Sequence, residues 1–179
     1  MKTTVASAGE LHKHIRVVPG FPKPEVQFLD ITPLLASPDL LKQTVQGLVS
    51  LLGSVSFDAF VGIESRGFIL AAALAQNMGK GFLPCRKAGK LPPPVIAQSY
   101  DLEYGSATLE MQSQSLVPKV KKVVIVDDVL ATGGTLTAAQ QIAEKAGFEV
   151  VDLIVLINIA FLNKMNWKGR PVPALFTTT

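Results

Sequence analysis

What the chain has little of narrows its class before any motif is read. It carries one cysteine, Cys85, in 179 residues, which excludes an internal disulfide framework and is compatible with a reducing compartment. No stretch approaches the roughly 20 apolar residues that a membrane span needs. The opening MKTTVASAGE lacks the apolar core of a secretory signal. The two histidines, His12 and His14, stand two apart, a poor spacing for a shared metal on a helix, and read as surface residues. Repeats, low-complexity segments and long blocks of one charge are absent. The formal net charge is +3, too small an excess to argue for nucleic acid but suited to polyanionic small substrates. These absences predict a soluble, cytoplasmic protein with neither a membrane nor a nucleic-acid partner.

What remains is a chain with 48% hydrophobic residues and enough length to bury a core without staples. One compact α/β domain is the expectation. Its organising stretch is 123–139, VVIVDDVLATGGTLTAA. Val123, Val124, Ile125 and Val126 suit a strand buried on both faces of a parallel sheet. Asp127 and Asp128 come next, where that strand is expected to end. A small-residue loop, Thr132-Gly133-Gly134-Thr135, then leads into a helical run from Leu136 to Ala146, with Gly147 as its stop. A further buried strand is expected over 148–158.

Glycine lets successive backbone N–H groups turn into a concave nest, and the positive end of the following helix adds to it. With the Thr132 and Thr135 hydroxyls, this makes a site for a phosphate monoester. Asp127 and Asp128 repel a phosphate, so they face another part of the same ligand. Vicinal sugar hydroxyls, or a magnesium ion beside them, suit two acceptor-only groups. The ligand implied is a ribose 5-phosphate moiety. No Gly-Lys-Ser/Thr closes the loop and it has no third glycine, so neither the Walker A nor the dinucleotide pattern is met. The bland alternative is a tight strand-to-helix turn with solvated acids.

At the N-terminus a short helix is expected over 5–16, then a proline-rich loop and an extended segment through Phe28 to a helix start near Pro33. Ser37 opens a capping pattern before a helix over 40–52. A strand over 57–63 ends in Glu64-Ser65-Arg66-Gly67, a second anion-binding candidate because arginine clamps phosphate oxygens bidentately. A short strand over 81–85 precedes Arg86, Lys87 and Lys90, a cluster that most often marks a solvated loop. Residues 92–109 are turn-rich without strong periodicity, 109–112 read as a strand, and the C-terminal PVPALFTTT reads as an edge strand.

The segment VVIVDDVLATGGT resembles the 5-phosphoribosyl 1-diphosphate (PRPP) binding motif of the type I phosphoribosyltransferases. The resemblance runs over roughly residues 15 to 160. It implies an α/β fold, a single domain spanning 1–179 with a mostly parallel central sheet flanked by helices, and a small N-terminal hood from residues 1–35. It places Asp127 and Asp128 on the ribose and Ala131, Thr132, Gly133, Gly134 and Thr135 around the 5-phosphate. Ser65 and Arg66 fall on the diphosphate, with Arg86, Lys87 and Lys90 near it and some of these reaching across a homodimer. In the hood, Phe28 would stack on the purine, flanked by Val26, Gln27 and Leu29; family members often carry a basic residue at the position of Leu29. Val129, Leu130 and Ala131 would approach the base from the loop side. The pattern Ser99-x-x-Leu102-Glu103-Tyr104-Gly105 resembles the family's catalytic loop, with Glu103 meeting the purine and Tyr104 covering PRPP.

The implied reaction is displacement of diphosphate from C1 of PRPP by a purine, through an oxocarbenium-like transition state. Glu103 and Arg66 are the expected catalytic side chains. Magnesium is the implied cofactor, held mainly through PRPP, with Asp127 and Asp128 contributing through water. Enzymes of this superfamily that take 6-oxopurines carry an aspartate where Ala131 stands, and those that take xanthine tend to carry asparagine where Thr132 stands. Both positions favour adenine, with AMP and diphosphate as products. Alternatives left open are a PRPP- or nucleotide-binding regulator on the same fold, a transferase for another purine, and an inactive relative with an altered base pocket.

Overall fold

The structure, a computed structural model, describes residues 8–101 and 106–178. The first helix, α1 (Ala8–His12), ends before the expected end near residue 16, and β1 (Arg16–Pro19) begins where helix was expected. β1 pairs antiparallel with β2 (Gln27–Asp30), so Val18 faces Phe28 across a small sheet of its own. The side chain of Asp30 ties this hairpin to the next helix, α2 (Thr32–Ala36). It accepts hydrogen bonds from Arg16 and from the N–H of Thr32, the first residue of that helix. α3 (Pro38–Leu51) starts as expected: Ser37 Oγ accepts from the Leu40 N–H and proline fills the first helical position.

β3 (Ala59–Ile63), α4 (Arg66–Met78) and β4 (Gly81–Lys87) form one parallel crossover unit. The turn-rich 92–109 region is instead mostly strand: β5 (Val95–Asp101) and β6 (Ser106–Gln112) make an antiparallel hairpin. β7 (Lys122–Leu130), α5 (Gly134–Lys145) and β8 (Glu149–Ile159) form the second crossover unit. A short hairpin, β9 (Asn166–Trp167) with β10 (Arg170–Pro171), precedes β11 (Ala174–Thr178). Arg170 Nη2 reaches both oxygens of Asp152, which is buried in β8, and so ties this hairpin to the sheet.

The main sheet runs β11-β8-β7-β3-β4-β6-β5. β11, β8, β7, β3 and β4 are parallel, and the β5–β6 hairpin is added antiparallel beside β4. The C-terminal stretch is the edge strand expected of it. Because strand side chains alternate, the two faces build separate cores. Phe60, Val124 and Val126 pack with Leu48 of α3 and Leu70 and Leu74 of α4. Val61, Val123 and Ile125 pack with Ala139 and Ile142 of α5. The helices therefore flank the sheet on both sides. Among the described residues no helix is long and apolar enough to cross a membrane.

Connectivity places the site. β3 and β7 are neighbours, yet the chain leaving β3 crosses to β4 on one side and the chain leaving β7 crosses to β8 on the other. Diverging crossovers open a crevice at the carboxyl ends of the two strands, the general ligand position in such sheets. Residues 64–67 and 127–135 both lie there.

Candidate active site

Asp127 and Asp128 do not end the strand, contrary to the expectation from sequence; β7 continues to Leu130, with Asp127 paired to Val155 and Val129 to Ile157. Successive residues on a strand point to opposite faces, so the two carboxylates diverge. Both are nearly enclosed, at 9% and 6% exposure. Asp127 Oδ1 accepts the Asp128 N–H at 2.9 Å. Burial, and after it the Asp128 charge, push the Asp127 carboxyl well above the usual carboxylate range. Burial also raises Asp128, against the opposing pull of Arg66.

Arg66 is the centre of the crevice. Its Nη2 lies 2.7 Å from Asp128 Oδ2, its Nη1 donates to the Leu29 carbonyl at 3.0 Å, and its guanidinium sits 4.6 Å from the Phe28 ring centre. One side chain thus touches both the acid pair and the hood. Within the protein the Arg66 ion pair is what neutralises Asp128 Oδ2, which is otherwise buried.

Two helices begin at this crevice without a side-chain cap. α4 starts after Ser65 and α5 after Gly133. The first N–H groups of a helix have no partner within it, so uncapped starts of this kind can meet an anion. Gly133 has φ +93°, a conformation in which an L side chain is strained, and Met165 lies against it. Thr135 Oγ1 is 3.5 Å from the Tyr100 hydroxyl. Thr132 is exposed, while Ala131, Gly134 and Thr135 are half-buried.

Arg86 and Lys87 lie on β4 rather than in a loop, since that strand runs two residues past its expected end. The organiser here is Glu64, whose side chain is 9% exposed. It accepts from Arg86 Nε, Lys90 Nζ and the Lys87 N–H. Burial alone would raise its carboxyl, but these donors outweigh it and hold the carboxyl at about 2. Arg86 Nη1 also donates to the Lys90 carbonyl, so this guanidinium is largely committed within the protein. Among the described residues the Lys87 side chain forms no ion pair.

The hood residues meet the site through one face of the sheet. Phe28 is half-buried with Phe21 edge-on at 5.1 Å, and Val26 is half-buried whereas Gln27 is exposed. Leu29, Val129 and Ile159 pack against the same core that α3 and α4 cover. Leu130 is sealed in the opposite core with Leu136. Asn158, near the end of β8, is held by Asn163 Nδ2 at 3.0 Å. Glu103 and Tyr104 lie outside the described residues. His12 and His14 are exposed, as expected, with His12 edge-on to Phe176 at 5.6 Å.

Two uncapped helix starts, a buried acid pair and the Phe28 hairpin thus meet at one crevice. The Phosphoribosyl transferase domain family model matches residues 36–166. An adenine phosphoribosyltransferase from Synechococcus sp. is 52% identical over 155 residues, which is 86% of this chain and 88% of that protein. The chain belongs to the adenine phosphoribosyltransferase family. Solved structures agree. The enzyme from Rhodothermus marinus superposes with a TM-score of 0.82 at 40% identity, over 96% of this chain and 98% of that one. The enzyme from Giardia lamblia, solved with 9-deazaadenine, superposes with a TM-score of 0.85 at 35% identity, over 97% and 99%.

Among the described residues no three or more His, Cys, Asp or Glu side chains gather into a metal cage. The donors available, Asp127 and Asp128, are hard oxygens that suit magnesium carried chiefly by a phosphate ligand.

Two residues beside this crevice have partners that the sequence does not announce. Tyr100 stands inside the Ser-x-x-Leu-Glu-Tyr-Gly neighbourhood without being one of its named positions. Glu64 reads there as part of a loop, whereas it is the anchor of the basic segment. An acid placed before Ser-Arg-Gly, with three cations some twenty residues on, is the available signal for the second.

Proposed function

We propose that this chain transfers the 5-phosphoribosyl group of PRPP to N9 of adenine, giving AMP and diphosphate, a purine-salvage reaction. The observation that carries the reading is the meeting, at the ends of β3 and β7, of an uncapped helix start at 133–135, a buried acid pair and the Phe28 hood. The family relationship supports the same substrates.

In this reading the N–H groups of the 132–135 segment and the Thr132 and Thr135 hydroxyls take the 5-phosphate. Asp127 and Asp128 accept from the ribose hydroxyls, Asp128 using the oxygen that Arg66 now faces. Arg66 leaves Asp128 and, with Ser65 and the basic side chains at 86, 87 and 90, takes the diphosphate. The base then occupies the place Arg66 held, over Phe28 and against the backbone of 26–29, with Val129 and Ala131 on the far side. Magnesium, bound with PRPP and reached by Asp127 and Asp128 through water, supplies neutralising charge to the diphosphate.

The bond from C1 to the diphosphate oxygen breaks, the N9–C1 bond forms, and the N9 proton leaves the purine. Positioning and charge stabilisation do most of the work. Glu103 is the proposed proton partner of the purine. Glu103→Gln is expected to cost about a hundredfold in kcat; near-full rates in both directions would remove that role. Residues 1–35 serve as the hood of a single domain, and a homodimer brings some basic side chains across. A monomer by sedimentation at assay concentration would contradict the dimer.

The direct test is nucleotide formation by chromatography with PRPP and magnesium, offering adenine, hypoxanthine, guanine and xanthine separately. AMP from adenine alone is the expected result. Product from another base would overturn the assigned base, and no product from any base while PRPP still binds would favour a regulator.

A further inference from the structure

The β5–β6 hairpin is not an isolated flap. Lys145, in the last turn of α5, donates to Gln98 of β5, and Ser99 and Thr108 share a hydrogen bond at 2.9 Å across the hairpin. Tyr100 packs its half-buried ring against the core that α5 covers. Its hydroxyl is 3.5 Å from Thr135 Oγ1, in the uncapped first turn of α5. The distance is long for two hydroxyls, whose bonds cluster near 2.7–2.8 Å. The pair is close enough for one acceptor beside them to engage both.

We propose that Tyr100 is a positioning residue of the 5-phosphate site, acting through Thr135 and linking phosphate occupancy to the hairpin. The inference rests on the reading that the 132–135 segment takes the 5-phosphate. Three observations carry it. Among the described residues the Tyr100 hydroxyl brings the hairpin within 3.5 Å of the first turn of α5. The ring is fixed by the core, so the hydroxyl is delivered at small entropic cost. Tyr100 also lies on β5, which pairs along its length with β6, so a contact made at the phosphate bears on the whole hairpin.

The chemistry of the ligands separates this role from a structural one. PRPP and AMP both carry a 5-phosphate, whereas diphosphate and adenine carry none. Tyr100→Phe removes one oxygen and keeps the ring packing. The expected result is a rise of about tenfold in KM for PRPP and in the inhibition constant for AMP, the upper end of what one ordinary hydrogen bond contributes. KM for adenine and inhibition by diphosphate should stay within about twofold. Unchanged constants for PRPP and AMP would overturn the proposal, and so would an equal loss for all four ligands. Thr135→Val serves as the control for the underlying reading. If it leaves PRPP and AMP unaffected, the phosphate does not sit at 132–135 and the proposal falls with that reading. If it weakens both while Tyr100→Phe weakens neither, the proposal alone falls.

Discussion

Asp127→Asn should raise the melting temperature of the ligand-free protein while lowering kcat/KM for PRPP by about a hundredfold or more. The two effects have one cause. Asp127 is enclosed beside Asp128, and burial followed by that neighbouring charge raises its carboxyl well above the unfolded value of 3.8. The folded state therefore holds a proton that the unfolded chain has already lost as pH climbs past about 4. A raised carboxyl contributes stability that is present at low pH and is lost as pH rises toward the folded value. Asparagine resembles the protonated form at every pH and keeps an oxygen for the Asp128 N–H. The gain should be on the order of 1 kcal/mol or more near neutral pH, worth about 2–4 °C per kcal/mol in a chain of this size. It should shrink toward pH 4. Thermal melts across pH and initial rates on the same preparation check both halves. A variant less stable than the parent at pH 7.5 would contradict the account of the pair.

The second large effect is expected at Gly67. A Cβ there would lie 2.8 Å from the Val126 carbonyl oxygen and 3.0 Å from Asp127 Oδ1. Neither neighbour is the free end of a flexible side chain, so the start of α4 must move away from β7. Gly67→Ala is expected to cost about 1–3 kcal/mol of stability. Activity should fall further than stability explains, by about a hundredfold, because Arg66 sits on the turn that shifts and a misplacement near 1 Å carries that cost. Urea denaturation with steady-state kinetics separates the two. Near-parent activity in the folded variant would show that the close approach of α4 to β7 does not set the site.

Much of this is legible in the sequence because it is local. The apolar run 123–126, the Ser37 cap and the Gly133-Gly134 loop each announce themselves within a few residues. Features set by distant partners are not. β7 runs through its acids because β8 pairs with Asp127 and Val129, which no local charge pattern reveals. The β5–β6 hairpin is hidden because its apolar side is defined by α5 and the sheet, not by a strict alternation of its own. Residue 16 reads as the end of a helix because its strand partner in β2 lies beyond a proline-rich turn. The motif alone puts Arg66 at the crevice, but its hold on Asp128, Leu29 and Phe28 depends on three separate segments converging.

The most direct measurement is a crystal structure with magnesium, PRPP and a non-reacting adenine analogue. The account predicts the 5-phosphate on the backbone amides of 132–135, the ribose hydroxyls on Asp127 and Asp128, and the base over Phe28. It also predicts that Arg66 will have left Asp128 for the diphosphate. A phosphate bound elsewhere, or Arg66 still 2.7 Å from Asp128 Oδ2 with both ligands in place, would contradict it.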